Sequence, residues 1–376
     1  MSTALAEFLL RVRSLIRKEL LLVFKDPSAR VVLFLPVLLQ SLLFGYVATY
    51  DLSNVPYAVL DESRSPTSAA ILARLDGAAF FRRVATLGSD AEIAPIIDRQ
   101  KALMVVRIGP RLEAELEAGE TAPIQLLLDA RNSTTANSAV GYVTAVIDAF
   151  NAERRAERGG APPALKVETR SWFNPNLETR WNFMPALIAT LSMLQTLLLT
   201  ALSVAREREQ GTFDQLLVTP LSPAEIMVGK CIPPMLIGLV QSTLVLLVTR
   251  FWFHIPLVGS PLTLYAGLAA FMLAGVGIGL AVSALSATMQ QAMLYTFVLL
   301  MPMMLLSGLT TPVASMPRVL QVATLINPVR FGIDLVRRVY LEGAGLVTVL
   351  PDLLPLLLIA AVTLPTAAWL FRHRLA

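Results

Sequence analysis

What most constrains this chain is where its charges are missing. Val31–Tyr50, Trp181–Ala205, Cys231–Thr249 and Leu353–Phe371 run for 20, 25, 19 and 19 residues without an Asp, Glu, Lys or Arg. As a helix, each is long enough to cross a hydrocarbon core about 30 Å thick. Between Arg250 and Arg318 lie 67 more uncharged residues, room for two further crossings divided by the polar run Ser286, Thr288, Gln290, Gln291. Backbone groups in lipid must bond internally, so these stretches predict helices, near 30–50, 183–205, 231–252, 262–286, 290–311 and 348–371. The predicted fold class is an α-helical membrane protein with six transmembrane helices. Composition agrees, with 55% hydrophobic and 15% charged residues and a mean hydropathy of +0.64.

Basic residues near span ends set orientation. Arg11, Arg13, Arg17, Lys18, Lys25, Arg30, Arg206, Arg208, Lys230, Arg372 and Arg374 fall on one side if the spans number six, which predicts two cytoplasmic termini in a bacterial inner membrane. The opposing loops hold Arg250, Arg318, Arg330, Arg337 and Arg338. The first span is too long for the core of a cleaved signal sequence, and a charged segment precedes it, so a retained anchor is expected. In residues 1–29, Leu5, Phe8, Leu9, Val12, Leu15, Ile16, Leu20 and Val23 recur at helical spacing, with the basic residues off that stripe. This reads as an amphipathic helix lying on the inner surface of the bilayer or packed on a partner protein.

Residues 51–180 hold 15 basic and 17 acidic side chains, 32 of the chain's 58 charges. A water-exposed domain follows, and after one span from a cytoplasmic terminus it is expected on the outer, extracytoplasmic side. Strand-like runs at Tyr57–Leu60, Leu103–Ile108 and Ile124–Leu128 alternate with helical stretches near 66–76, 90–100, 110–118 and 133–157, the pattern of a small α/β layer domain. Asp129, Arg131, Asn132 and Ser133 stand between the last strand and the long helix. A cap at Asn132 or Ser133 is the plain reading, a ligand site the other.

Several chemistries lack their residues. The net charge of +4 is too mild for a nucleic-acid partner, and the single Cys231 rules out an intrachain disulfide and a multi-cysteine metal cluster. The Gly229-Lys230 pair has Ala224 and Cys231 where a phosphate loop needs Gly and Ser or Thr, so the chain itself should not bind ATP. His254 and His373 form no HExxH pattern. Apart from Arg30 and Arg250 at span ends, no charged residue falls inside the first five predicted spans, which disfavours a proton relay, and Asp352 is expected at the interface. Neither catalysis nor a bound cofactor or metal is expected, so energy for any active process must come from another molecule.

The loop after the second span is the most informative segment. Arg206, Glu207, Arg208 and Glu209 alternate in sign, Gly211 permits a break, and Thr212 can cap. Ser222 and Glu225 have the spacing of a capping box, with Pro223 at the first helical position. A short helix over 223–229, parallel to the bilayer, is predicted. Taken alone, the charge cluster also fits a solvated loop whose ion pairs contribute ~0–1 kcal/mol each.

Glu207-Arg208-Glu209-Gln210-Gly211-Thr212, followed by Gln215-Leu216-Leu217-Val218-Thr219-Pro220, resembles the signature of ABC-2 type transporter permeases, the membrane subunits of ATP-driven exporters. Ile326-Asn327-Pro328-Val329-Arg330 and Phe173-Asn174-Pro175-Asn176 extend the resemblance toward the multidrug-efflux branch with large outer domains, while Asp214 stands where many relatives carry Glu. The resemblance implies that Arg206, Glu207, Arg208 and Glu209 lie at the junction with a separate ATPase. Gly211, Thr212, Asp214, Pro220, Glu225 and Lys230 would supply the coupling contact, and the partner would hold ATP and magnesium. It also implies a dimer with itself or a paralogue enclosing one path for hydrophobic or drug-like substrates, with a periplasmic adaptor as a further partner. Cations, lipids and polysaccharide remain alternative cargo, and a non-transporting receptor or scaffold is the rival class.

Residues 309–340 are too short for two full spans and read as a re-entrant hairpin. Relatives close the outer end of the pathway with such a hairpin, so Asn327, Pro328 and Arg330 are outer-gate candidates. Arg337 and Arg338 read equally as gate residues and as interfacial anchors. Gly275, Gly277 and Gly279 predict close helix packing in the fourth span.

Overall fold

The computed structural model describes residues 2–47, 55–78, 80–131, 133–157, 178–212 and 221–374. In chain order its elements begin with α1 (Ser2–Lys25), α2 (Pro27–Val47), β1 (Val55–Asp61), α3 (Pro66–Gly77), β2 (Phe81–Thr86), α4 (Ile93–Asp98), β3 (Met104–Ile108), α5 (Leu112–Glu117), β4 (Ile124–Leu128) and α6 (Ser133–Glu157). They continue with α7 (Thr179–Glu209), α8 (Pro223–Leu247), α9 (Pro261–Leu285), α10 (Met289–Leu305), α11 (Arg318–Ala323), α12 (Pro328–Glu342) and α13 (Leu350–Arg374). Contacts divide the chain into two units, Met1–Ala48 with Ser171–Ala376, and Thr49–Arg170.

The first unit is the membrane-embedded part. Segments of α2, α7, α9 and α13, and of α8 with the π-helix Val248–Trp252 that continues it, are long and apolar enough to cross a bilayer. The expected span at 290–311 is the shorter α10, an apolar helix of 17 residues rising about 26 Å. It stops early because Leu306 leaves helical geometry and Gly308 turns the chain at φ +85°. The hairpin region is a broken helix: α11 and the 3-10 turn Thr324–Ile326 meet α12 at 83°.

The core is centred on α7 and α9. Met184, Ile188, Met193 and Leu197 of α7 pack with Leu264, Leu268 and Phe271 of α9 and with Val336 and Tyr340 of α12. Glycines allow this approach. A Cβ on Gly275 would sit 2.4 Å from Met193 Sδ, and one on Gly279 would sit 2.9 Å from the Leu197 carbonyl oxygen, both on α7. Gly277 faces the other way, with Thr363 Oγ1 of α13 2.1 Å from the same hypothetical atom. The close packing expected of these glycines therefore serves two neighbours. Opposite the charged loop, exposed Tyr46 accepts a 2.9 Å hydrogen bond from exposed Trp252, a pairing typical of the bilayer–water boundary.

One expectation is corrected here. The short helix over 223–229 does not exist separately: α8 runs unbroken from Pro223 into the span. Gly229 does not end it, and its missing side chain instead admits Leu15 of α1, which would lie 2.3 Å from a Cβ there. Asp352, in the first turn of α13, is 6% exposed and paired with Arg338 at 3.1 Å.

The second unit is a four-stranded sheet in the order β2-β1-β3-β4. β1 runs parallel to β2 and β3, and β4 antiparallel to β3, with Tyr57 opposite Met104 and Met104 opposite Leu128. Tyr57 and Val59 point into a core with Ile71, Leu75 and Val143, while Ala58 and Leu60 meet Leu87, Ala102 and Val105 on the other face. Burial on both faces makes β1 the central apolar strand that its sequence suggests. Burial, then the Asp76 carboxylate that accepts its hydroxyl at 2.5 Å, push Tyr57 up to about 12. The sequence reading has no strand at β2, whose Arg82, Arg83 and Val84 are all exposed. Asn132 and the Ser133 side chain, the expected cap of α6, lie outside what is described; Asp129 instead accepts from the Arg131 backbone at 3.1 Å and pairs with its guanidinium at 2.8 Å. Those Arg131 hydrogen bonds hold its carboxyl below the usual range.

Candidate coupling site

α7 carries four alternating charges in its last turn, and because each helical residue is rotated about 100° from the last, they go to four different places. Glu207 turns inward and is 8% exposed. Its carboxylate receives Lys230 of α8 at 2.7 Å and Lys18 of α1 at 3.4 Å. Arg208 donates to the carbonyls of Ala284 and Ser286 at 3.2 and 3.3 Å, and Glu209 accepts from the Met289 backbone at 2.8 Å. Arg206 lines a cavity between α1, α7 and α8. One turn of helix thus ties α7 to α1, α8, the end of α9 and the start of α10.

The helix stops where the sequence says it can. Gly211 takes φ +66°, and Thr212 donates both its backbone N–H (3.0 Å) and its hydroxyl (3.3 Å) to the Glu207 carbonyl. After the loop, Ser222 and Glu225 form the expected capping box: the Ser222 hydroxyl accepts from the Glu225 N–H at 3.3 Å, and the Glu225 carboxylate accepts from the Ser222 N–H at 2.5 Å. Glu225 also meets Arg11 at 3.7 Å. Asp214 and Pro220 fall outside the described residues.

Lys230 is 2% exposed and reaches three partners: Glu207, Glu19 of α1 at 3.5 Å, and the Ser203 hydroxyl at 3.3 Å. A buried ammonium is tolerable only when paired and hydrogen-bonded in this way. Glu207 is therefore not part of a solvated loop, the reading that sequence alone also allowed, whereas Arg206 and Glu209 are exposed. Lys18, Glu19 and Ser203 were missed by the sequence reading; the available signal was Glu19, an acidic residue in a helix otherwise rich in Arg and Lys. α1 is docked as well as amphipathic, with Val12 and Leu15 buried and Leu9 and Leu10 more than half exposed.

The other candidate residues lie at the bend between α11 and α12. Asn327 is 5% exposed; its side-chain oxygen accepts from the Val329 N–H at 3.1 Å and its amide donates to the Met303 carbonyl of α10 at 2.7 Å. Pro328 is the first residue of α12, where a missing N–H costs nothing. Arg330 donates to Thr324 at 2.5 Å across the break. Farther along α12, Arg337 donates to the Asn182 carbonyl of α7 at 3.3 Å, so with Arg338 it makes protein contacts. An almost wholly apolar cleft of about 600 Å³ opens beside the bend, lined by residues such as Ile278, Met303, Ile326 and Thr363. Among the described residues, no group of three His, Cys, Asp or Glu side chains is placed to hold a metal ion.

The family model for ABC-2 family transporter proteins matches residues 29–369. The chain is 40% identical to the probable multidrug ABC transporter permease YbhR of Escherichia coli K12, over 97% of this chain and 99% of that protein. It is 29% identical to the probable multidrug permease YbhS of the same organism, over 97% of each, and 32% identical to its inner membrane transport permease YhhJ, over 73% of this chain and 74% of that protein.

Proposed function

Because the chain belongs to the ABC-2 transporter family, and is thus a multi-pass membrane permease subunit of an ABC exporter, we propose that a separate ATPase drives it through the junction between α7 and α8. Both termini and this junction lie in the cytoplasm, and the α/β unit lies on the far side of the inner membrane. The observation that carries the reading is the Lys18–Glu207–Lys230 bridge, which joins α1, α7 and α8 where the resemblance puts the motor contact. Force on residues 206–230 then moves three helices together. Arg208 and Glu209 pass it to α9 and α10.

The chain does no covalent chemistry; ATP and magnesium stay on the partner. Two permease chains, identical or paralogous, enclose the path, and a periplasmic adaptor collects the product. The cargo is hydrophobic, as the relatives' designation as multidrug permeases and the apolar cleft at the bend suggest. Asn327, Pro328 and Arg330 hold that bend as the outer gate. The reading is tested by co-purification with the cognate ATPase. Asp214→Arg should abolish the complex while the chain stays folded, and the isolated chain should release no phosphate from ATP. Nucleotide hydrolysis by the chain alone, or undiminished ATPase binding by the Asp214 variant, would sink it.

A further inference from the structure

The cavity beside the Glu207 bridge has a volume of about 440 Å³, within the range of small-ligand clefts, roughly 300–1,000 Å³. Its lining changes character along two helices in the same direction. On α7, Leu199 gives way to Arg206 and Gln210, about 10 and 16 Å farther along the axis. On α8, Ile237 and Pro233 lie deeper in the span and Lys230 nearer the loop. The cavity is therefore apolar toward mid-membrane and polar toward the loop, the polarity profile of a lipid at that depth.

Its charge is also unbalanced. Lys18, Lys230 and Arg206 line it against Glu19 and Glu207. Lys230 and Lys18 engage both carboxylates, whereas the Arg206 guanidinium has no hydrogen bond or ion pair among the described residues. One positive charge is left over, matching the single negative charge of a phosphodiester. We propose that this cavity holds one anionic phospholipid of the adjoining leaflet, its phosphate on Arg206 and Lys18 and its first methylenes along Leu199 and Ile237. A zwitterionic lipid would bring its ammonium against the same cations. The seated lipid joins α1 to α7 beside the bridge, so the anionic content of the leaflet tunes coupling. The regulatory part rests on the reading of this junction as the ATPase contact; the binding part does not.

The test uses the full-length chain, purified in detergent without its ATPase and titrated with phosphatidylglycerol or phosphatidylcholine under native mass spectrometry. One phosphatidylglycerol per chain should be retained in preference to phosphatidylcholine. Arg206→Gln and Lys18→Gln should each weaken retention about fivefold, the effect of one basic side chain at an anionic surface. Arg206→Lys should hold the lipid, and Arg13→Gln, exposed on α1 away from the cavity, should leave retention unchanged. Equal retention of phosphatidylcholine overturns the proposal. So does equal weakening by Arg13→Gln, which would mean diffuse surface attraction, and so does full displacement by inorganic phosphate, which would mean a free-phosphate site. ATPase co-purification is scored separately. Its loss with lipid retention intact would remove only the coupling reading, and the converse only the lipid.

Discussion

Lys230 illustrates how a residue's role depends on neighbours remote in sequence. Read along the chain, it is one more basic residue of a loop that also has Arg206 and Arg208; folded, it is a buried ammonium between carboxylates from α1 and α7. The reason is α8, which begins at Pro223 and carries position 230 two turns into helix, under α1. Removing one member of a buried pair costs about 3–5 kcal/mol because the partner charge is stranded, whereas removing both costs far less. Lys230→Met should therefore lower the thermal unfolding midpoint of the detergent-purified chain severely. Glu207→Gln introduced with it should recover most of the loss, since Lys18 keeps half of its surface in water and does not need the carboxylate. Equal melting of the single and double variants would show that the pair is not a coupled unit.

At the scale of elements, the sequence was readable wherever a single local pattern decided the structure. Uncharged length gave the spans, the Ser222/Glu225 spacing gave the start of α8, and alternation of apolar runs gave β1, β3 and β4. It failed where a neighbour decides. β2 carries Arg82 and Arg83 at exposed positions on a sheet edge, so only its pairing with β1 identifies it. The continuity of α8 past Gly229 depends on Leu15 filling the space that a side chain would take. The glycines of α9 were legible as packing residues but not in direction, because the partners of Gly279 and Gly277 belong to α7 and α13. Gly279→Leu should force α9 from α7, at about 1–3 kcal/mol for an overpacked contact, and Gly141→Leu, on α6 with open space around it, should cost much less. Comparable losses of thermal stability in the two variants would contradict the packing assignment.

For the molecule as a whole, the contacts sort the loops of the membrane unit into two sets. Residues 206–212 meet 284–289, whereas 252–258 meet Tyr46 and Tyr340. We propose that six crossings put both termini with the first set, and that this set, richer in arginine and lysine, faces the cytoplasm. The segment that contains the α/β unit carries 32 charges and cannot remain in lipid, and on the same proposal it lies outside the cytoplasm. The assignment is open to direct test because Cys231 is the only cysteine and is buried. In a Cys231→Ser background, Asp98→Cys on α4 and Gln210→Cys at the end of α7 each introduce one thiol at an exposed position. A membrane-impermeant maleimide should label the first, but not the second, in cells whose outer membrane has been permeabilised, and the pattern should invert in inside-out vesicles. The opposite pattern would place the charged junction outside, beyond reach of any cytoplasmic ATPase, and would remove the coupling mechanism while leaving the fold untouched.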